Sequence, residues 1–254
     1  MNELLFNEAC KSILNNAIER DGVIGDSSQI GTLKEKTVHA VVKNYIEPDP
    51  SFHEIKVESF YADIVNEKGI IEIQTSNFNQ LRKKLSILLD LHPVTIVYPI
   101  AHVKNIYWIH KDTGEINQPR KSPKRGNPHD VFRELYKIKF FLAHPNIKLH
   151  IILMDMDEYR LLDGWSKDQK KGATKCDRIP KKLINEIQIN SIDDYKNFLP
   201  SGLPDEFTVS DYKSVAKINQ RNAGLCLHIL NHIGAIKRIG KNGRAYLYTI
   251  NTQP

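Results

Sequence analysis

Two carboxylates and one side-chain amide are the groups of this 254-residue sequence best suited to chemistry. Asp63, Glu72 and Gln74 lie within residues 61–75, where residues 66–69 predict a turn between two β-rich runs. Side chains alternate along a strand, so Glu72 and Gln74 share a face and Asp63 can come opposite that face. Oxygen ligands of this kind suit Mg²⁺, which could activate water and neutralise charge on a phosphodiester.

The order of these residues resembles the PD-(D/E)xK nuclease superfamily, in which an Asp on one strand precedes Glu-x-Lys on the next. The resemblance covers residues 33–100, and Gln74 stands where the motif has Lys. Some restriction endonucleases of the superfamily are similar in using Gln there. The resemblance implies that Asp63 and Glu72 are catalytic ligands of Mg²⁺ or Mn²⁺ and that Gln74 helps to position water.

Glu35 is a third acidic candidate, because it lies four residues before His39 on a predicted helix and so shares a face with it. A Glu on this helix often completes the metal site in the superfamily, so the resemblance makes Glu35 a further catalytic and metal-binding residue. A capping box with Thr32 is an alternative explanation for Glu35. An ordinary exposed hairpin is likewise the alternative explanation for Asp63 and Glu72.

The elements that must position these residues follow from hydrophobic periodicity and from Gly, Pro and capping signals. Helices are predicted at residues 1–20, 32–45, 77–91, 130–142 and 193–199, with Asn77 capping the third. Strands are predicted at residues 54–57, 61–65, 70–75, 94–100, 103–110, 115–117, 148–154 and 186–189, with a basic insertion at residues 162–182. The fold expected is α/β (α+β), a restriction-endonuclease-like core with a mixed central sheet flanked by helices.

The C-terminal tail has its own pattern, and residues 200–204 predict a linker before it. Helices at 208–217 and 220–232, then strands at 235–239 and 245–250, resemble a winged helix-turn-helix domain. We therefore predict an N-terminal helical segment (1–32), a nuclease domain (33–200) and a winged-helix domain (201–254).

The sequence is basic, with 36 Lys and Arg against 30 Asp and Glu, which favours an anionic partner such as duplex DNA. In the tail, Gln, Arg and Asn side chains can read base edges in the major groove. The predicted DNA contacts are Arg82, Lys83, Lys84, Arg120, Lys121, Lys124, Arg125, Lys170, Lys171, Lys175, Gln220, Arg221, Asn222, Lys237, Arg238, Lys241 and Arg244. Each basic cluster taken alone is also compatible with an ordinary solvated surface.

The leading hypothesis is a metal-dependent DNA endonuclease, for which a homodimer would supply the two active sites that cutting a duplex requires. A non-catalytic DNA-binding protein on a degenerate nuclease fold is the first alternative, and a protein-docking subunit of a larger complex is the second. The three cysteines form no Cys-x-x-Cys pair, and neither a leader peptide nor a membrane-spanning run is visible, so a cytoplasmic protein is expected.

Overall fold

A computed structural model describes residues 2–21, 36–164 and 173–251. The α-helices are α1 (Glu3–Asp21), α2 (Lys36–Ile46), α3 (Arg82–Leu88), α4 (Phe132–Leu135), α5 (Val209–Ala216) and α6 (Gln220–His232). The strands are β1 (His53–Val57), β2 (Phe60–Asn66), β3 (Gly69–Ile73), β4 (Val94–His110), β5 (Arg120–Lys121), β6 (Ile147–Leu162), β7 (Thr174–Ile189), β8 (Glu206–Phe207), β9 (Ile236–Asn242) and β10 (Ala245–Ile250).

The central sheet contains seven strands in the order β1-β2-β3-β4-β6-β7, with β5 paired to β4. It is mixed, because β1 and β2 are antiparallel whereas β3 and β4 are parallel. The predicted mixed α/β architecture with a central sheet and flanking helices is therefore confirmed. A second, three-stranded sheet has the order β8-β10-β9.

The chain divides into two compact units, each of which is described by itself. Unit 1 takes the described residues of 1–65, 99–127 and 152–186. Unit 2 takes the described residues of 66–98, 128–151 and 187–251. The three domains predicted from the sequence remain predictions.

Unit 1 buries the apolar stripe that the sequence placed on α2. Its members, all buried, are Val38, Val41, Val42 and Tyr45. The Tyr45 ring meets the Phe6 ring of α1 edge to face, with ring centroids 5.4 Å apart. Along β2, Ala62 and Ile64 are fully buried, as expected for a strand with one face on a core.

The prediction of a basic insertion at residues 162–182 is partly wrong, since β7 begins at Thr174 and continues without a break to Ile189. Its buried residues come at irregular intervals, and the adjacent Cys176 and Asp177 are both buried. No two-residue period is therefore visible in the sequence. Lys170 and Lys171 lie outside the described residues, as does Glu35.

Unit 2 has less regular helices than the sequence predicts. Residues 130–142 form the short α4 between two 3₁₀ segments, and Ile138 leaves helical geometry with φ −120°. Asn77 precedes another 3₁₀ segment in a left-handed conformation, and its side chain makes no capping hydrogen bond. These segments still bury the apolar residues that produced the helical pattern, such as Phe132 and Leu135.

The C-terminal elements occur in the predicted order. Thr208 and Asp211 form a capping box at the start of α5, and Lys217 ends that helix with φ 52°. Asn219 then caps α6 by accepting a hydrogen bond from the backbone of Asn222 at 2.9 Å. Strands β9 and β10 are joined by a two-residue turn at residues 243–244.

Candidate functional site

Glu72 of unit 2 is a buried carboxylate. It lies in the middle of β3, whose residues Ile71 and Ile73 are buried as well, so the strand is covered on both faces. The register pairs Glu72 with Ile96 of the parallel strand β4. The alternative of an exposed hairpin with a polar face therefore does not apply to Glu72.

Lys84 of α3 is the charged partner of Glu72. Its Nζ lies 2.5 Å from Glu72 Oε1, and only 14% of the lysine side chain is exposed. Lys84 is predicted from the sequence to contact DNA beside Arg82 and Lys83, which are both exposed. The structure instead places its ammonium on the carboxylate, because Lys84 lies on the buried side of its helix.

A helical pattern could have singled out Lys84. Leu81, Leu85 and Leu88 are buried, and position 84 lies three residues after the first and four before the last. A lysine at a core-facing position requires a buried acidic partner or a snorkelling path to water. Strand β3 supplies the acid.

Gln74 follows β3 and occupies the motif position of the missing lysine. Its backbone N–H donates to Val97 O of β4 at 2.9 Å. Its side-chain amide donates to the backbone oxygen of Ser76 at 2.6 Å. The amide oxygen is the group that remains for water or substrate.

Asp63 of unit 1 has a histidine partner. His39 Nε2 of α2 lies 3.2 Å from Asp63 Oδ2, with 31% and 19% of the respective side chains exposed. Sequence reasoning placed His39 on the same helix face as Glu35 but gave it no partner. A carboxylate that holds an imidazole at this distance fixes the orientation of the ring.

No group of three or more His, Cys, Asp or Glu side chains among the described residues is arranged to hold a metal ion. Mg²⁺ commonly takes only one or two protein carboxylates and completes its coordination with water and substrate phosphates. The Asp63 carboxylate of unit 1 and the Glu72 carboxylate of unit 2 each have the donor chemistry for such an ion.

Residues 119–127, which include four of the predicted DNA contacts, form an edge of unit 1 that is anchored to β4. Strand β5 pairs with β4, Ser122 N donates to Lys104 O at 2.8 Å, and Gly126 N donates to His102 O at 2.9 Å. A Cβ added to Gly126 would lie 2.2 Å from Ala101 O, so only glycine fits against β4. We call the exposed residues Arg120, Lys121, Lys124 and Arg125 the basic edge.

The basic edge lacks counter-charges within the described part of the chain, where none of its four residues forms an ion pair. Because β4 fixes the backbone on both sides of Ser122, the Cα atoms of the four cations keep a defined spacing. Exposed cations on such a backbone can contact phosphates without the loop first losing backbone freedom. Lys175 of β7 is also exposed in unit 1.

The start of α6 in unit 2 differs from the prediction at one residue. Gln220 and Arg221 are exposed, but Asn222 is buried. Its Oδ1 accepts hydrogen bonds from Arg133 Nε and Nη2 at 3.2 and 3.0 Å, and its Nδ2 donates to Asp130 at 3.2 Å. Asn222 is thus a structural residue of unit 2 and is not positioned to read a base.

The β9–β10 hairpin exposes the four predicted wing cations, Lys237, Arg238, Lys241 and Arg244. Arg238 and Lys241 lie over the ring of Tyr246, at 4.3 and 5.4 Å from its centroid. Such cation–π contacts hold cationic heads in place while leaving them in solvent.

Residues 36–190 match the family described as "Domain of unknown function (DUF8091)". An uncharacterised protein of Treponema pallidum (strain Nichols) is 30% identical over 229 residues, which is 86% of each chain. No solved structure matches this chain. None of the described helices is long and apolar enough to cross a membrane.

Proposed function

The chain belongs to the DUF8091 family, whose description states no function, so we propose its activity from its own residues: metal-dependent hydrolysis of phosphodiester bonds in DNA. The proposal assigns the central sheet to a PD-(D/E)xK-type core and the C-terminal helices and hairpin to a winged-helix domain. Asp63 and Glu72 are the proposed ligands of Mg²⁺ or Mn²⁺. Duplex DNA is the proposed partner.

The contact between Lys84 and Glu72 is the observation that carries this proposal. The superfamily motif has a lysine two residues after the glutamate, and this chain has Gln74 there. Here Lys84, which lies on α3, brings an ammonium group to the carboxylate of Glu72. A lysine beside a ligand carboxylate can orient an attacking water and stabilise negative charge that develops on a phosphate.

The roles of the chain's own residues follow from this arrangement. Glu72 holds the Lys84 ammonium in a sheltered position, and Gln74 offers an amide oxygen to water. Asp63 holds His39, and histidine is a residue type that serves as a general acid or base in catalysis. The divalent ion would supply Lewis-acid activation and charge neutralisation when bound.

The proposal is tested by incubating the protein with supercoiled plasmid, linear duplex, single-stranded and branched DNA in Mg²⁺, Mn²⁺ or EDTA. Metal-dependent cutting that is lost in Asp63→Asn and in Glu72→Gln is the expected result. Glu67→Gln is the matched control, because Glu67 is exposed in the turn between β2 and β3. Cutting that persists in both test variants would contradict the site, and the absence of cutting on every DNA would contradict the activity.

A non-catalytic DNA-binding protein is the second candidate, and the same ion pair favours it. Lys84 already neutralises Glu72, so the pair could serve only to hold α3 on the sheet. Titration calorimetry with Mg²⁺ separates the two candidates. A binding signal that disappears in Glu72→Gln supports the nuclease, whereas DNA binding without any Mg²⁺ signal supports the second candidate.

A further inference from the structure

Unit 2 exposes two aromatic rings on the 3₁₀ segment Tyr136–Phe141. Phe140 is 71% exposed and Tyr136 is 46% exposed, whereas Ile138 between them is fully buried. Because the segment is anchored through Ile138, the two rings are held at the surface. Apolar rings held so openly commonly mark a binding surface.

Helix α6 contributes two histidines to the same surface. His228 and His232 are four residues apart and both exposed, so they lie on one face of the helix. The His228 ring lies 5.5 Å from the Tyr136 ring, and the His232 ring lies 5.7 Å from the Phe140 ring, centroid to centroid. The two segments therefore form one continuous patch.

Lys139 lies at the centre of this patch. Its Nζ is 5.0 Å from the Tyr136 ring centroid, 5.1 Å from that of Phe140, and 3.4 Å from His228 Nε2. Among the described residues, no acid forms an ion pair with Lys139 or with either histidine. The acid of the adjoining groove, Glu134, is bound by Lys137 Nζ at 2.8 Å. The patch thus combines stacking surfaces with uncompensated positive charge.

We propose that this aromatic–cationic patch, formed by Tyr136, Lys139, Phe140, His228 and His232, binds unpaired nucleotides of a single DNA strand. Bases stack on the two exposed rings, and a phosphate lies near Lys139 and the histidines. Rings and cations combined in this way bind single strands with little sequence preference, whereas the bases of a duplex already stack on one another. This inference rests on the proposed function and narrows its substrate to DNA with unpaired segments.

The test measures binding in EDTA, so that cutting plays no part. Fluorescence anisotropy compares labelled oligothymidylate with a blunt duplex for the wild type and for the double variant Tyr136→Ala, Phe140→Ala. We expect the variant to lose at least about tenfold in affinity for the single strand, because each stacked base contributes substantially. Duplex affinity should change by less than about twofold, since other surfaces bind the duplex.

Two controls make the measurement specific. Tyr61→Ala removes an aromatic ring of unit 1 that is 66% exposed and should leave single-strand affinity unchanged. The single variant Tyr136→Phe keeps both aromatic rings and should retain the single-strand affinity. Thermal melting of all variants verifies that they are folded, as expected for exposed side chains.

The inference would be overturned by unchanged single-strand affinity in the double variant, by an equal loss on duplex and single strand, or by competition by polyglutamate as strong as that by oligothymidylate. The last result would indicate a surface for acidic protein segments. A wild type that binds neither DNA form would overturn the DNA partner as well. A wild type that prefers the single strand through these rings but cuts nothing would contradict only the nuclease activity.

Discussion

Units 1 and 2 each contain a titratable side chain outside the proposed metal site, and the surroundings of these two side chains differ. In unit 1 the buried Glu158 is bound by Lys104 Nζ at 2.8 Å and by Arg160 Nε at 2.6 Å. In unit 2 the half-buried His129 lies among aromatic rings, including those of Phe132 and Phe198. Both units expose basic surfaces, so net charge alone does not distinguish these two environments.

This difference predicts two separate responses to acid. Burial alone would raise the pKa of Glu158, but hydrogen bonds and charges from Lys104 and Arg160 outweigh it and hold the pKa below its usual value. Burial lowers the pKa of His129, despite the opposing effects of Phe198 and Asp130. Both groups should therefore lower stability in acid, Glu158 as pH falls from the usual carboxyl range through its lowered pKa, and His129 as pH falls below the ordinary histidine value of 6.5.

The largest effect is expected at Lys84, the partly buried partner of Glu72 in unit 2. Lys84→Met should lower the rate of metal-dependent cutting by about 100-fold or more, because an electrostatic contact to the reacting phosphate is lost. Lys68→Met is the matched control at an exposed position of unit 2, in the turn before β3, and should cut normally. Single-turnover cleavage of plasmid measures both rates. A Lys84→Met variant that cuts at the wild-type rate would remove Lys84 from the proposed mechanism.

The second prediction concerns the buried Glu158 of unit 1 and its ion pairs with Lys104 and Arg160. Glu158→Gln should destabilise the protein by about 1.5–3 kcal/mol at neutral pH, since hydrogen bonds to charged groups are lost in a buried site. The folded-state pKa of Glu158 is lowered, so its contribution is present above the usual carboxyl range and disappears as pH falls through that lowered pKa. Urea unfolding across this range should show the difference from wild type shrinking in acid. A difference that is independent of pH would contradict an ionic origin.

The basic edge of unit 1 provides a weaker test, by salt dependence. Replacing Lys124 and Arg125 by Gln should reduce the slope of log affinity for duplex DNA against log salt by about 2, because each phosphate contact releases counter-ions. Lys11→Gln with Lys56→Gln removes the same charge from two other exposed positions of unit 1. Equal slopes for both double variants would show that only net charge matters.

The smallest effect concerns His129 of unit 2. The pKa of His129 is lowered in the folded state. The contribution of its neutral ring to folding stability is therefore fully present above the ordinary pKa of 6.5 and is lost as pH falls below that value. One proton can cost at most about 1.4 kcal/mol per pH unit in this window. His129→Gln removes the titration, and thermal melts of this variant should vary less between mildly acidic and neutral pH than those of wild type. Parallel curves for both proteins would assign the acid response to another group.

Periodicity in the sequence predicts those elements that bury one regular face. The stripe on α2, the apolar run of β4 and the Thr208 start of α5 were predicted correctly, because local propensity and burial agree there. Strand β5 was missed, since its two residues are basic and exposed and pair only through the backbone.

The charged contacts depended on tertiary structure. Sequence spacing placed Glu72 on a strand but could not show that both faces of that strand are covered. Asn222 is of a residue type that can contact DNA bases. Its side-chain amide is nevertheless hydrogen-bonded to Arg133 and Asp130, which lie 89 and 92 positions away in the sequence. Pairings across such separations are set by the packing of elements and leave no local signal.

The close approach of Gly126 to Ala101 has a consequence for mutational tolerance. In a library that randomises residues 120–127, the charged positions should accept many substitutions without loss of the fold, and only the proposed DNA affinity should fall. Position 126 should tolerate only glycine, because any Cβ would collide with the backbone of β4 and detach the basic edge from the sheet. The charge of this surface can therefore change through single substitutions, whereas its attachment to the sheet cannot.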